Sequence, residues 1–117
     1  MMDVELFREF CLSKSHATED FPFDEITLCF KIAGKIFAII PLDSADRANL
    51  KCFPAYAEEL REKYTGVRPG FHMNKKHWNT VLFFEDLDDA TILHLVNHSY
   101  DQVVSKLPLN KRKELQQ

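Results

Sequence analysis

Glycine is scarce. The 117 residues hold three, at Gly34, Gly66 and Gly70. None sits in the spacing of a loop that cradles phosphates, so a P-loop or dinucleotide fold is excluded. Cysteine is equally sparse and uneven in number: Cys11, Cys29 and Cys52. No pair has the spacing of a metal clip or a redox couple. The count argues against a disulfide framework and for reduced thiols in a cytoplasmic protein. No basic cluster adjoins any of them, which argues against a reactive thiol. No apolar run approaches the ~18 residues of a membrane span. The acidic N-terminus, MMDVELFREF, does not read as a signal peptide. There is no nucleophile elbow, so the expectation is a protein that is not an enzyme, with no catalytic residue, cofactor or resident metal.

Large apolar side chains are plentiful, including ten Phe. A chain of this size and apolarity can bury about two thirds of its unfolded surface and fold without staples. One domain over 1–117 is expected. The net charge of -3 argues weakly against nucleic acid, but it is a cancellation between blocks. Residues 1–30 balance at -5, 31–82 at +4, 83–101 at -5 and 102–117 at +3. A nucleic-acid reading requires that the fold gather the basic blocks on one side.

Hydrophobic spacing predicts the elements. Val4, Phe7 and Cys11 mark a helix over 3–13. Ser13 to Asp24 reads as a loop. Residues 26–32 and 35–40 alternate as strands, joined by a tight turn at Ala33-Gly34. A third strand is expected at 48–53. Pro54 then opens a helix that Gly66 ends. Phe71 to Met73 and Trp78 to Phe84 read as strands around a polar tip. Asp88 or Asp89 caps a long helix to about Leu107, with Leu93, Val96, Tyr100, Val103 and Leu107 as its seam. The order α-β-β-β-α-β-β-α describes an α+β domain, an antiparallel sheet of about five strands with helices packed against it.

The most distinctive segment is Arg68-Pro-Gly-Phe-His-Met-Asn-Lys-Lys-His-Trp-Asn79. If 73–77 is a hairpin tip, Lys75 and Lys76 project from a rigid ribbon that can lie along a phosphate backbone. Asn74 and Asn79 can hydrogen-bond to phosphates or base edges, and Trp78 can stack. The same residues also read as a solvated turn followed by a core tryptophan. His94 and His98 have a chelating spacing but lie on a polar helix stripe. His72 and His77 can approach each other across a turn. Neither pair has a third ligand in the pattern. The acids of 85–89 read as a turn and a helix N-terminus rather than a cation site.

Several stretches resemble one family. They are Phe30-Lys-Ile-Ala-Gly-Lys-Ile-Phe-Ala38, Asn49-Leu-Lys-Cys52, the segment Arg68 to Thr80, and His98-Ser-Tyr-Asp101 with Lys106-Leu-Pro108. In order and content they resemble the MmcQ/YjbR family of small bacterial proteins. The resemblance implies a CyaY-like fold and a "double-wing" DNA-binding motif. Its wings would fall at Gly34-Lys35 and at Asn74-Lys75-Lys76-His77, with Lys31, Lys51 and Arg68 extending the basic surface. His72 and Trp78 would anchor the motif. Double-stranded DNA is then the expected partner of a cytoplasmic monomer. The alternative is a protein-interaction or small-ligand module. Its metal-binding form would use the acids of the first helix and strand, Asp3, Glu5, Glu9, Glu19, Asp20, Asp24 and Glu25, as frataxin-type iron binders do. One departure is Phe53, where relatives usually carry an Asp that can cap the helix after it.

Overall fold

The computed structural model describes residues 2–116. Its elements are α1 (Val4–Ser13), β1 (Thr18–Asp20), β2 (Thr27–Ile32), β3 (Lys35–Pro41), β4 (Arg47–Lys51), α2 (Pro54–Lys63), β5 (Val67–Pro69), β6 (Trp78–Leu82), α3 (Asp89–Ser105) and α4 (Leu109–Glu114). The six strands form one antiparallel sheet in the order β1-β2-β3-β4-β6-β5. The α+β class stands, with one strand more than expected.

The additional strand, β1, lies inside the segment expected to be a loop. Its Thr-Glu-Asp sequence has no apolar alternation, and pairing with Cys29, Phe30 and Lys31 of β2 defines it. The strand expected at Phe71–Met73 lies instead at Val67–Pro69, and 71–73 is a turn. Pro69 is tolerated because β5 is an edge strand with one neighbour. Pro108 ends α3 and precedes a short fourth helix.

Ala33 and Gly34 both take positive φ, 51° and 77°, the pattern of a two-residue hairpin turn whose twist matches its strands. At Phe30/Lys31 the β2–β3 register shifts by one residue. Phe37 is the extra residue of that bulge, and it turns into the core beside Phe30 and Tyr100. The bulge also separates the start of β3 from β4, which pair only at Ala38–Leu50 and Ile39–Asn49. Ser99 of α3 fills the break. Its hydroxyl accepts from the Lys51 N–H at 2.8 Å and donates to the Phe37 carbonyl.

Alternation places Leu28, Phe30, Ala38, Ile40, Ala48, Leu50 and Val81 on the face covered by helices, where the Phe7 and Phe83 rings pack tilted with their centres 5.3 Å apart. Each buried Phe contributes about 1.5–3 kcal/mol of transfer free energy. The opposite face carries Cys29, Ile39 and Asn49, outside that core. Ser99 and Ile92 belong to the buried stripe of α3, whereas Leu93 of the expected seam is only half-buried.

Candidate nucleic-acid interface

Strand direction decides where the loops go. β3 leaves the Ala33-Gly34 turn, β4 returns to it, and β6 starts opposite Lys51. The β2–β3 turn and the 70–77 loop therefore lie at the same end of the sheet. Helix α3 runs from Asp89 to Ser105 and brings Lys106 to that end as well. Charge interactions agree. Burial holds the Lys51 ammonium below its usual range, and the positive charges of Lys106 and Lys35 add to the effect. His77 is held down by burial and then by Lys106, Lys76 and Lys51. A groove of about 450 Å³ runs between Gly34 and Lys111 of α4. Lys106 thus joins the basic middle of the chain at one end of the sheet, while Lys111 beside the groove is paired with Glu114 at 3.8 Å.

The 70–77 loop is built by its own polar side chains. The Asn74 carboxamide accepts from the N–H groups of Lys76 (2.9 Å) and His77 (3.2 Å). Lys75 donates to the Gly70 carbonyl at 2.8 Å. The Arg61 guanidinium of α2 donates to the carbonyls of Lys75 and Trp78 and to Asn79 Oδ1, the last at 2.7 Å. Gly70 is required by space, because a Cβ there would lie 2.9 Å from Trp78 Cβ. On the sheet side, the Phe71 N–H donates to Thr80 Oγ1, Thr80 donates to Asn49 Oδ1, and Asn49 Nδ2 donates to the Phe71 carbonyl.

These contacts sort the residues expected from the sequence. Lys35, Lys51, Lys76 and His77 come together at the basic end, and none of the three lysines makes an ion pair or side-chain hydrogen bond among the described residues. Lys31 is half-buried and paired with Asp20 at 3.2 Å. Arg68 lies along the edge strand, with its Nε on the Thr65 carbonyl. Asn79 is a correction: it is 2 % exposed and faces Arg61 and the Ala57 carbonyl, so it presents nothing to a partner. Asn74 and Lys75 hold the loop, although both remain exposed. Trp78 is half-buried. His72 is exposed with φ 59°, beyond the loop's basic part. Lys106 is the member that sequence reading missed. Its signal was its position just after a helix that must end beside Lys51.

The closing motif is structural. His98 Nε2 accepts from the Phe53 N–H at 3.1 Å and packs on Tyr56, which ties down the start of α2 where Phe53 offers no side-chain cap. Tyr100 donates to the Ser15 carbonyl at 2.7 Å. The cysteines are buried. Burial pushes the Cys29 and Cys52 thiols up to about 11 and Cys11 further, so all three are inert at neutral pH. Among the described residues no helix is long and apolar enough to cross a membrane.

The sheet, its helical cover and its two loops define a small α+β domain with lysines gathered at one end of the sheet. The family model described as YjbR matches residues 12–102, and the chain belongs to that family, MmcQ/YjbR. Escherichia coli K12 "Uncharacterized protein YjbR" is 35% identical over 117 residues, 99% of each chain. Bacillus subtilis "Uncharacterized protein YyaQ" is 33% identical over 55 residues, 47% of this chain and 46% of that one. The crystal structure of Deinococcus radiodurans protein DR2400, with family-model domain DUF419, superposes with a TM-score of 0.91 at 34% identity. That match covers 98% of this chain and 88% of that one.

Proposed function

We propose that the chain is a non-enzymatic, monomeric, cytoplasmic protein that binds the phosphate backbone of duplex DNA through the basic end of its sheet. One observation carries this reading: Lys35, Lys51, Lys76 and Lys106 converge at the ends of two hairpins with no acidic partner among the described residues. Two rigid loops either side of Lys51 offer a surface on which backbone phosphates replace the missing counter-charges. Base readout is not expected, because Asn79 is turned inward and Asn74 holds its own loop.

Four phosphate contacts give an affinity that falls about a hundredfold between 50 and 200 mM salt. Fluorescence anisotropy with a labelled duplex at those two salt concentrations measures it. Lys76→Ala with Lys106→Ala is expected to halve the salt slope. Absence of binding at the lower salt, or binding that this double variant leaves unchanged, refutes the proposal.

A further inference from the structure

A cavity of about 320 Å³ opens on the sheet face that the helices leave uncovered. Ile39, Pro41 and Phe71 form its apolar wall, and Phe23 stands at it 67% exposed. Its size is at the lower end of small-molecule sites. The wall is preformed, since the Asn49–Thr80–Phe71 hydrogen bonds sew the 71–73 turn to the sheet. His72 reaches the cavity from a left-handed backbone conformation, which costs a non-glycine residue about 1 kcal/mol or more.

The polar groups of the lining set the ligand's charge. Asn49 has its carbonyl oxygen and its amide both engaged. Thr27 donates to Asp24, whose carboxylate also accepts from the Ile26 and Thr27 N–H groups. The side-chain acceptors that face the cavity are thus engaged, and Asp46, which lies outside the lining, has its Oδ1 beside Arg47 with no hydrogen-bond partner. Two basic side chains remain, Arg47 and His72. The Arg47 guanidinium lies 5.6 Å from the Phe71 ring centre, and its contact with Asp46, at 3.5 Å, is too long for a strong hydrogen bond. A guanidinium held over an aromatic ring keeps N–H groups at its edge that can meet a carboxylate. The geometry points to a site for a small aromatic carboxylate, its ring between Ile39 and Phe71 and its carboxylate on Arg47.

The site shares the 70–77 loop with the basic end but uses its Phe71, His72 and Met73 on the open sheet face, whereas DNA is proposed to meet Lys76, so each is tested with its own probe. Phenylacetate, phenylacetamide and phenethylamine serve as probes of one shape and three charges, each titrated into the full chain while backbone amides are followed by NMR. Phenylacetate is expected to shift the amides of Arg47, Asn49 and 71–73 at low-millimolar concentration. It should bind about five- to tenfold more tightly than phenylacetamide, and phenethylamine more weakly still. Arg47→Gln should bring the acid down to the amide. No shift at these amides, or an amide that binds the native chain as tightly as the acid, overturns the inference whether or not the variant folds.

Discussion

At the end of the sheet where β6 stops, the carboxylates hold backbone. Asp86 accepts from the N–H groups of Thr65 and Gly66, both at 2.9 Å. Asp24 does the same for Ile26 and Thr27, and Asp88 caps α3 through the Thr91 N–H at 2.8 Å. At the other end Lys75 alone among the loop and helix-end lysines is tied to backbone, while Lys35, Lys51, Lys76 and Lys106 are not. These carboxylates are part of the scaffold, whereas of the basic groups at the other end Arg61 and Lys75 serve it and these four lysines are left for solvent or a partner. A net charge of -3 conceals this. The helix α3 spans the two ends with its N-terminus among the acids and its C-terminus beside Lys106, each the favourable arrangement for the helix dipole.

The largest effect expected breaks the scaffold under the basic end. Ser99→Ala leaves the Lys51 N–H and the Phe37 carbonyl unpaired at a fully buried position. Each orphaned group costs about 1–3 kcal/mol, so a loss of roughly 3 kcal/mol in urea unfolding is expected. An unchanged midpoint would show that the bulge closes without the serine.

A smaller effect tests the acidic end. Hydrogen bonds from backbone N–H groups hold Asp86 and Asp24 below the ordinary aspartate value, and bonds from Thr91 do so for Asp88. Because these folded values are depressed, their stabilisation is complete above the unfolded value of about 3.9 and disappears as pH falls through the folded ones. Urea midpoints measured downward from neutral pH should therefore drop below about pH 4. Changing all three residues to Asn should lower the neutral midpoint and flatten that drop. A third substitution sharpens the contrast: Lys76→Glu should leave stability within about 0.5 kcal/mol of the native chain, yet weaken duplex binding in the anisotropy assay at least as much as the double alanine variant.

Helices, the first hairpin and the α+β class were legible in the sequence because they rest on local signals: apolar spacing, Pro54 at the first helical position, Gly34 in a turn. β1 was not, because its residues are polar and its partner lies about ten residues further along. Phe71 drew a strand to itself because it is apolar, whereas it faces the open side of the sheet from a turn. In the central motif the sequence shows which residues are unusual but not what each touches. Asn79 and Asn74 look like contacts for a ligand until Arg61 and the loop's own N–H groups are placed beside them. Lys106 has no local signal at all, since only the length of α3 puts it near Lys51.

The finest test asks whether the four lysines truly share one field. Burial is the main cause of the lowered Lys51 value, with Lys106 next and Lys35 after it. Lys106→Ala should therefore raise the Lys51 value part of the way toward that of free lysine, and Lys35→Ala should raise it less. Titration of the Lys51 side chain by carbon-detected NMR measures both. A lysine depressed in the folded state binds its proton more tightly once unfolded. The native protein should then gain stability as pH rises between the two values, and Lys106→Ala should shrink that gain. If Lys51 titrates identically with and without Lys106, the end of α3 does not contribute to the cationic surface, and the phosphate contacts reduce to those of the two hairpins.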